Sequence, residues 1–116
     1  MNAKLVVSPL LSVSQVEIIF SRLEEAPKFY ETEELEVKGV AVKLFNPSLT
    51  LYVVEFDVAS RVAFGYMKNE ADEGLSEWGY SSVDELIEAG FEMDLFFENR
   101  VISLDGSVVE KEGENA

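Results

Sequence analysis

The sequence predicts an α+β fold: a twisted, mainly antiparallel sheet of four to six strands, with one longer N-terminal helix packed on it and one short helix at an edge. Three observations lead to this fold class. The segment 36–67 contains three β-rich runs separated by short turns, one helical pattern precedes it, and a second follows it. The short connections favour antiparallel pairing, because parallel strands need a long crossover.

The first helix is predicted at 14–25. Ser14 and Glu17 fit a capping box, in which the serine oxygen accepts the amide of the glutamate and the glutamate side chain returns to the serine amide. Apolar residues recur behind it at helical spacing and define one face: Val16, Ile19, Phe20 and Leu23. Pro27 ends the helix, since the residue before a proline avoids the helical conformation.

Alternation of apolar residues predicts the strands. The predicted strands are 37–45, 49–57, 61–67, 76–80 and 91–97, followed by a hairpin that turns at Asp105-Gly106. The turn at 46–48 contains a proline, which presets the backbone dihedral at the second position of a turn. The acidic connector 26–36 carries two aromatics, Phe29 and Tyr30, which are expected to pin it to the core.

The second helix is predicted at 83–89. Ser82 and Glu85 fit a second capping box, and Gly90 stands where a left-handed C-terminal cap belongs. We expect residues 1–110 to form a single α+β domain, and the charged residues 111–116 to form a disordered acidic tail.

Composition excludes several chemistries. The chain has no cysteine and no histidine, so disulfides, thiolate metal sites and the usual neutral-pH general base are absent. Its seven glycines are scattered and form no phosphate-binding loop. We therefore expect a protein that is not an enzyme and needs no cofactor or metal.

Charge is the outlying property of the chain. There are 23 acidic residues against 9 basic ones, which gives a net charge of −14. Such a surface repels nucleic acid and anionic lipid and favours basic partners, although solubility or adaptation to salt would also produce it. Without a signal-peptide pattern or an apolar run of roughly 20 residues, a cytoplasmic location is expected.

Residues 44–98 contain five short motifs in a fixed order: L-F-N-P, L-Y-V-V-E-F-D, A-F-G-Y, W-G-Y-S-S-V-D-E-L and G-F-E-M-D-L-F-F. This order resembles the domain of unknown function 2958 family, small proteins of plasmids, phages and conjugative elements. The sequence departs from the family pattern at Leu51, where an aromatic is usual, and at Met93, where an arginine is usual. The resemblance implies a fold and a mobile-element context but no mechanism.

The leading functional hypothesis follows from the segment 68–98, where ten acidic residues stand against Lys68 alone. We expect a non-enzymatic inhibitor whose acidic face, centred on 70–98, occludes a basic nucleic-acid-binding surface of a host defence complex such as a CRISPR effector or a restriction system. No direct contact with nucleic acid or membrane is expected. The residues predicted to contact the partner are Glu70, Asp72, Glu73, Glu77, Trp78, Tyr80, Asp84, Glu85 and Glu88.

Two other classes stay open. The first is an accessory adaptor or regulator of plasmid or phage biology that binds its partner through the aromatic edge formed by Trp78 and Tyr80. The second is a carboxylate-dependent metal enzyme, because pairs of acids two residues apart share a strand face. The candidate metal ligands are Glu55, Asp57, Glu92, Asp94 and Glu98.

Overall fold

The structure, a computed structural model, describes residues 11–110, which form two helices and two antiparallel sheets of five and three strands. The helices are α1 (Val13–Leu23) and α2 (Val83–Glu88). The strands are β1 (Val37–Gly39), β2 (Val42–Phe45), β3 (Leu49–Asp57), β4 (Val62–Asn69), β5 (Glu77–Ser82), β6 (Glu92–Met93), β7 (Arg100–Ser103) and β8 (Val108–Glu110). The predicted α+β class is confirmed. The predicted tail at 111–116 lies outside the described residues.

The larger sheet has the strand order β5-β4-β3-β2-β6, and β3 lies at its centre with the predicted bounds. Both faces of β3 are covered, so seven of its nine residues are buried. The two helices cover one face, and the smaller sheet, with the order β1-β7-β8, lies against the other.

Each face of the larger sheet has its own core. The helix-side core contains Val16, Ile19, Leu23, Val42, Leu44, Leu51, Val53, Phe56, Ala63, Val83, Ile87 and Phe91. The opposite core contains Val40, Tyr52, Val54 and Ile102, with Phe64, Tyr66, Trp78, Phe97 and Val108 packed against them. Within residues 11–110, neither helix is long and apolar enough to cross a membrane.

The prediction of one continuous strand at 37–45 is wrong, because the chain changes sheets in the middle of it. The amide of Val40 donates to the carbonyl of Arg100 at 3.0 Å, in the smaller sheet. The next amide, that of Ala41, donates to the carbonyl of Val53 at 2.8 Å, in the larger sheet. Val40 and Val42 are both buried, in different cores, so the apolar pattern runs unbroken through the change of sheet.

The predicted strand at 91–97 is also wrong over most of its length. Only Glu92 and Met93 pair with β2, and the chain then leaves the sheet. Leu95 is half exposed and Phe96 is 91 % exposed, so these two residues cover no core, whereas Phe97 packs against the core opposite the helices.

The start of α1 differs from the prediction by two residues. Ser12, not Ser14, is the N-cap: its side chain accepts the amide of Gln15 at 3.2 Å, and the Gln15 side chain accepts the amide of Ser12 at 2.8 Å. With this start, Leu11 packs against the helix-side core that contains Val16, and these are the two positions that a hydrophobic staple joins. A start at Ser14 would use Val13 and Ile18 for the same contact, and both are exposed.

The helix start gives a direct stability test. Ser12→Ala should lower the free energy of unfolding by about 1 kcal/mol, because it removes the acceptor for an N-terminal amide of α1. Ser14→Ala, in the exposed first turn, should change it by less than about 0.5 kcal/mol. Urea denaturation of the two variants measures both values. A larger loss for Ser14→Ala would contradict the observed cap.

The predicted N-cap of α2 and the two predicted glycine positions agree with the structure, but within the described residues only the Ser82 half of the predicted capping box is formed. Ser82 is the N-cap of α2, and its Oγ accepts the amide of Glu85 at 3.3 Å. Gly90 has a φ of 95° behind this helix, and Gly106 has a φ of 92° in the turn between β7 and β8. These positive dihedrals explain why glycine stands at both positions.

Candidate functional site

The two aromatics singled out in the sequence lie on β5, the edge strand of the larger sheet. Trp78 pairs with Tyr66 of β4, and Tyr80 pairs with Phe64. Since side chains alternate along a strand, Trp78 and Tyr80 lie on the face of the larger sheet that packs on the opposite core. Glu77, Gly79 and Ser81 lie on the helix side. The site is built around this edge.

Trp78 is largely a core residue. Its Nε1 donates to the carbonyl oxygen of Leu104 at 2.9 Å, in the turn between β7 and β8. Its ring stacks on Phe64, with centroids 5.7 Å apart and planes at 21°, and meets Tyr66 edge-on at 5.4 Å. Trp78 therefore ties the smaller sheet to the edge of the larger one.

Tyr80 is the exposed aromatic of the edge. Its side chain is 55 % exposed, and its ring contacts Phe64 at 4.9 Å and Phe29 at 5.3 Å between centroids. Tyr30, on the same connector as Phe29, is 66 % exposed and has a φ of 73°. The connector 26–36 thus packs beside Tyr80 through Phe29, while Tyr30 stays at the surface.

A groove of about 300 Å³ lies between the connector and β5. Its walls are aromatic and apolar, Glu33 stands beside them, and two buried charged residues contribute to its lining. The lining residues are Tyr30, Glu33, Lys38, Glu55, Phe64, Trp78, Tyr80 and Leu104. An aromatic groove beside carboxylates suits a side chain with an apolar stem and a cationic end.

Glu55 holds the connector against the central strand. Its carboxylate accepts the amides of Tyr30 and Thr32, both at 2.9 Å, and also the Thr32 hydroxyl. Lys38 donates to the Thr32 carbonyl, and Glu55 and Lys38 are only 3 % and 5 % exposed. Burial by itself raises the pKa of Glu55, but these hydrogen bonds and the nearby Lys38 charge together lower the pKa below its usual value.

The possible pairing of Glu55 with Asp57 as metal ligands finds no support in this geometry. Asp57 accepts the amide of Ser60 at 2.9 Å and also its hydroxyl, and these bonds lower the pKa of Asp57. Asp94, another candidate ligand, forms a salt bridge with Lys43 at 3.6 Å. Over residues 11–110, no group of three or more histidine, cysteine, aspartate or glutamate side chains is placed to hold a metal ion.

The predicted acidic face is divided into two groups by β5. The 70–77 group, at the start of the strand, comprises Glu70, Asp72, Glu73 and Glu77. The α2 group, at the other end, comprises Asp84, Glu85 and Glu88. A six-residue strand spans roughly 17–20 Å, so the two groups lie at opposite ends of the edge and not in one patch.

The acids of the two groups are not equally available. Asp84 forms a bidentate salt bridge with Arg61, whose Nε and Nη2 donate at 2.9–3.2 Å, and it is partly buried. Glu70 accepts the Thr50 hydroxyl at 2.7 Å, and Glu73 lies 3.9 Å from Lys68. The acids of the two groups with no salt-bridge partner among residues 11–110 are Glu70, Asp72, Glu77, Glu85 and Glu88.

The basic residues of the described chain offset one acid in each group, because Lys68 pairs with Glu73 and Arg61 pairs with Asp84. Lys38 is buried. Each of four others lies in a salt bridge with a carboxylate: Lys43, Arg61, Lys68 and Arg100. Among residues 11–110, this leaves Arg22 and Lys28, which belong to the first helix and the connector. Four acids less Lys68 leave the 70–77 group with a net charge of −3, and three acids less Arg61 leave the α2 group with −2, so both ends of β5 are negative.

Comparisons of the chain with protein-family models, with curated proteins and with solved structures find no match. The family resemblance of residues 44–98 stays a prediction.

Proposed function

We propose that this protein is a non-enzymatic interaction module that binds a basic protein surface through β5 and the acidic groups at its ends. One observation carries the proposal: an edge strand with a half-exposed aromatic, Tyr80, has exposed carboxylates at both ends. A basic surface would gain from both features, because charge steers the encounter and buried aromatic area supplies affinity.

The partner class that fits best is a nucleic-acid-binding defence complex, such as a CRISPR effector or a restriction system. The described fold measures 38 Å along its longest axis, and a duplex of that length carries roughly 22 phosphate charges. The protein's net charge of −14 is of the same order. It would thus compete with DNA for a basic groove and act as an inhibitor, which is the role that the mobile-element resemblance favours.

The proposal is tested by DNA binding to a host CRISPR effector and a restriction enzyme, with and without this protein, at 50 mM and at 300 mM salt. The protein should block DNA binding, and less so at high salt, because exposed charges are screened beyond about 10 Å at 0.1 M. The triple variant Asp72→Lys, Glu73→Lys, Glu77→Lys should weaken the block at least tenfold, about 1.4 kcal/mol.

A matched control reverses three exposed acids of α1 and its C-terminal end: Glu17, Glu24 and Glu25. This triple makes the same change in net charge at a different place, so inhibition should fall by less than about threefold. Equal losses for the two triples would show that only net charge matters and would contradict an interface at β5. No inhibition at 50 mM salt would contradict the inhibitor role itself.

The second candidate is an adaptor that binds through the aromatic edge, and the exposure of Tyr80 favours it. Its binding should tolerate salt and survive the triple variant Asp72→Lys, Glu73→Lys, Glu77→Lys, whereas the acidic-surface mode should weaken under both changes; Tyr80→Ala should weaken binding in either mode. Trp78→Ala is a poor test, since Trp78 packs on Phe64 and donates to the Leu104 carbonyl, and its loss would also disturb the fold.

A further inference from the structure

The outer side of β5 is an open hydrogen-bonding edge. In an antiparallel pair, alternate residues direct their N–H and C=O groups to the neighbouring strand, so half of the β5 residues direct theirs away from β4. Among residues 11–110, no backbone N–H or C=O of Glu77–Ser81 forms a hydrogen bond beyond the β4 ladder. Ser82 is the N-cap of α2, where the carbonyl accepts the first bond of the helix. The edge therefore has about two residues' worth of backbone groups available to another chain.

Several of the usual protections of an edge strand are missing from β5. Natural edges are blunted by lysine, proline, a bulge or a very short strand. β5 has six residues without lysine or proline, and its register with β4 is unbroken over all six pairs. Gly79 at its middle has no heavy atom within 4 Å of the position that a Cβ would occupy. The opposite edge strand, β6, has only two residues.

We infer that β5 accepts an extended basic segment of the partner, which adds to the larger sheet as a sixth strand. This inference rests on the proposed function and adds that the bound segment of the partner has an extended backbone. Charge selects the occupant: exposed Glu77 stands at one end of the strand, and exposed Glu85 and Glu88 follow the other. A second copy of this chain would bring like charges together, whereas a basic segment is attracted at both ends.

The two faces of β5 set different demands on the added strand. Alternate side chains of the segment would lie beside Trp78 and Tyr80, where bulky apolar residues or the stem of an arginine pack on aromatic rings. The intervening side chains would lie beside Gly79 and Ser81, where small or β-branched residues suffice. The expected segment is thus about six residues of alternating pattern with lysine or arginine at its ends.

The probe is a synthetic peptide of four alternating valine and threonine residues, flanked on each side by arginine and lysine. The charge control is the same peptide with its four central amides N-methylated, which removes their donors and keeps the charge. Each peptide is titrated into the full chain, and amide hydrogen exchange is followed by NMR. The unmodified peptide should slow exchange of the outward β5 amides at least tenfold and bind at least tenfold more tightly than its methylated form.

Three outcomes would overturn strand addition, and they separate it from the proposed function. Equal affinity for both peptides, with no protection of β5, would leave a purely electrostatic surface and keep the proposed function. Protection confined to β1, β6 or β8 would place the added strand at another edge. The absence of binding by either peptide at 50 mM salt would overturn both proposals.

Discussion

Replacing Gly65 by alanine should lower the free energy of unfolding by about 3 kcal/mol or more. Gly65 lies in β4 opposite Val53 of the central strand, next to the register shift between Val53 and Glu55. A Cβ at this position would lie 2.0 Å from the Tyr52 carbonyl oxygen and 3.0 Å from the Val53 Cα. Both atoms belong to the backbone, so no side-chain rotation relieves the clash, and β3 and β4 must separate or shift.

The sheet contains a matched control for this variant. Gly79 is paired directly with Gly65 across β4 and β5, but a Cβ there would meet no heavy atom within 4 Å. Gly79→Ala should therefore change the free energy of unfolding by less than about 0.5 kcal/mol. Urea denaturation followed by tryptophan fluorescence compares the two variants. Similar losses in both would mean that the β3–β4 approach at Gly65 is looser than observed.

The sequence is informative where the local pattern and the long-range packing agree. The bounds of β3 follow from an apolar run between two turns. The start of α2 follows from Ser82, and the two positive dihedrals follow from Gly90 and Gly106. In each case the residue types that fit the local backbone are also the ones that the neighbouring elements require. Such elements can be assigned without knowing their partners.

Local pattern fails where two arrangements satisfy it equally. Ser12 and Ser14 each begin a capping box, and the choice between them depends on whether Leu11 reaches the core. The run 37–45 alternates through its change of sheet, because Val40 and Val42 each find a buried place in a different core. Only pairing with β7 and β3, both distant in the sequence, breaks this run into two strands.

The candidate site shows the same limit. The aromatic pair on an edge strand and the acids around it are evident in the sequence. The sequence does not show that β5 separates the acids into two groups, or that Asp84 pairs with Arg61, 23 residues away. The groove depends on Glu55 reaching back to Tyr30 and Thr32. One signal was present: Glu55 is an acid within a strand that is otherwise apolar from Leu51 to Phe56.

Glu55→Gln is expected to lower the free energy of unfolding by about 2–4 kcal/mol at pH 7. The two carboxylate oxygens accept backbone amides of different residues, Tyr30 and Thr32. A glutamine amide group has one acceptor oxygen and one donor nitrogen, so in either orientation one backbone N–H faces another donor. The charge that offsets buried Lys38 is lost as well.

The loss of stability caused by Glu55→Gln should become smaller as the pH falls. Because the pKa of Glu55 is lowered in the folded state, the unfolded chain binds more protons near the ordinary carboxyl pKa of about 4.3, and stability rises with pH through that range. The contribution of Glu55 is complete above about pH 5 and is lost as the pH falls through its folded pKa. The difference between wild type and Glu55→Gln should therefore shrink from pH 7 to pH 3.

Urea denaturation at pH 7, 5.5 and 3 measures this difference and avoids the isoelectric point near 4.2. Glu33→Gln, an exposed acid that also lines the groove, is the control and should stay within about 0.5 kcal/mol of wild type at each pH. If Glu55→Gln lost the same amount of stability at all three pH values, the loss would come from altered packing and not from the carboxylate charge. Unchanged stability at pH 7 would mean that the contact of Phe29 with Tyr80, and not the carboxylate, holds the connector that forms the groove.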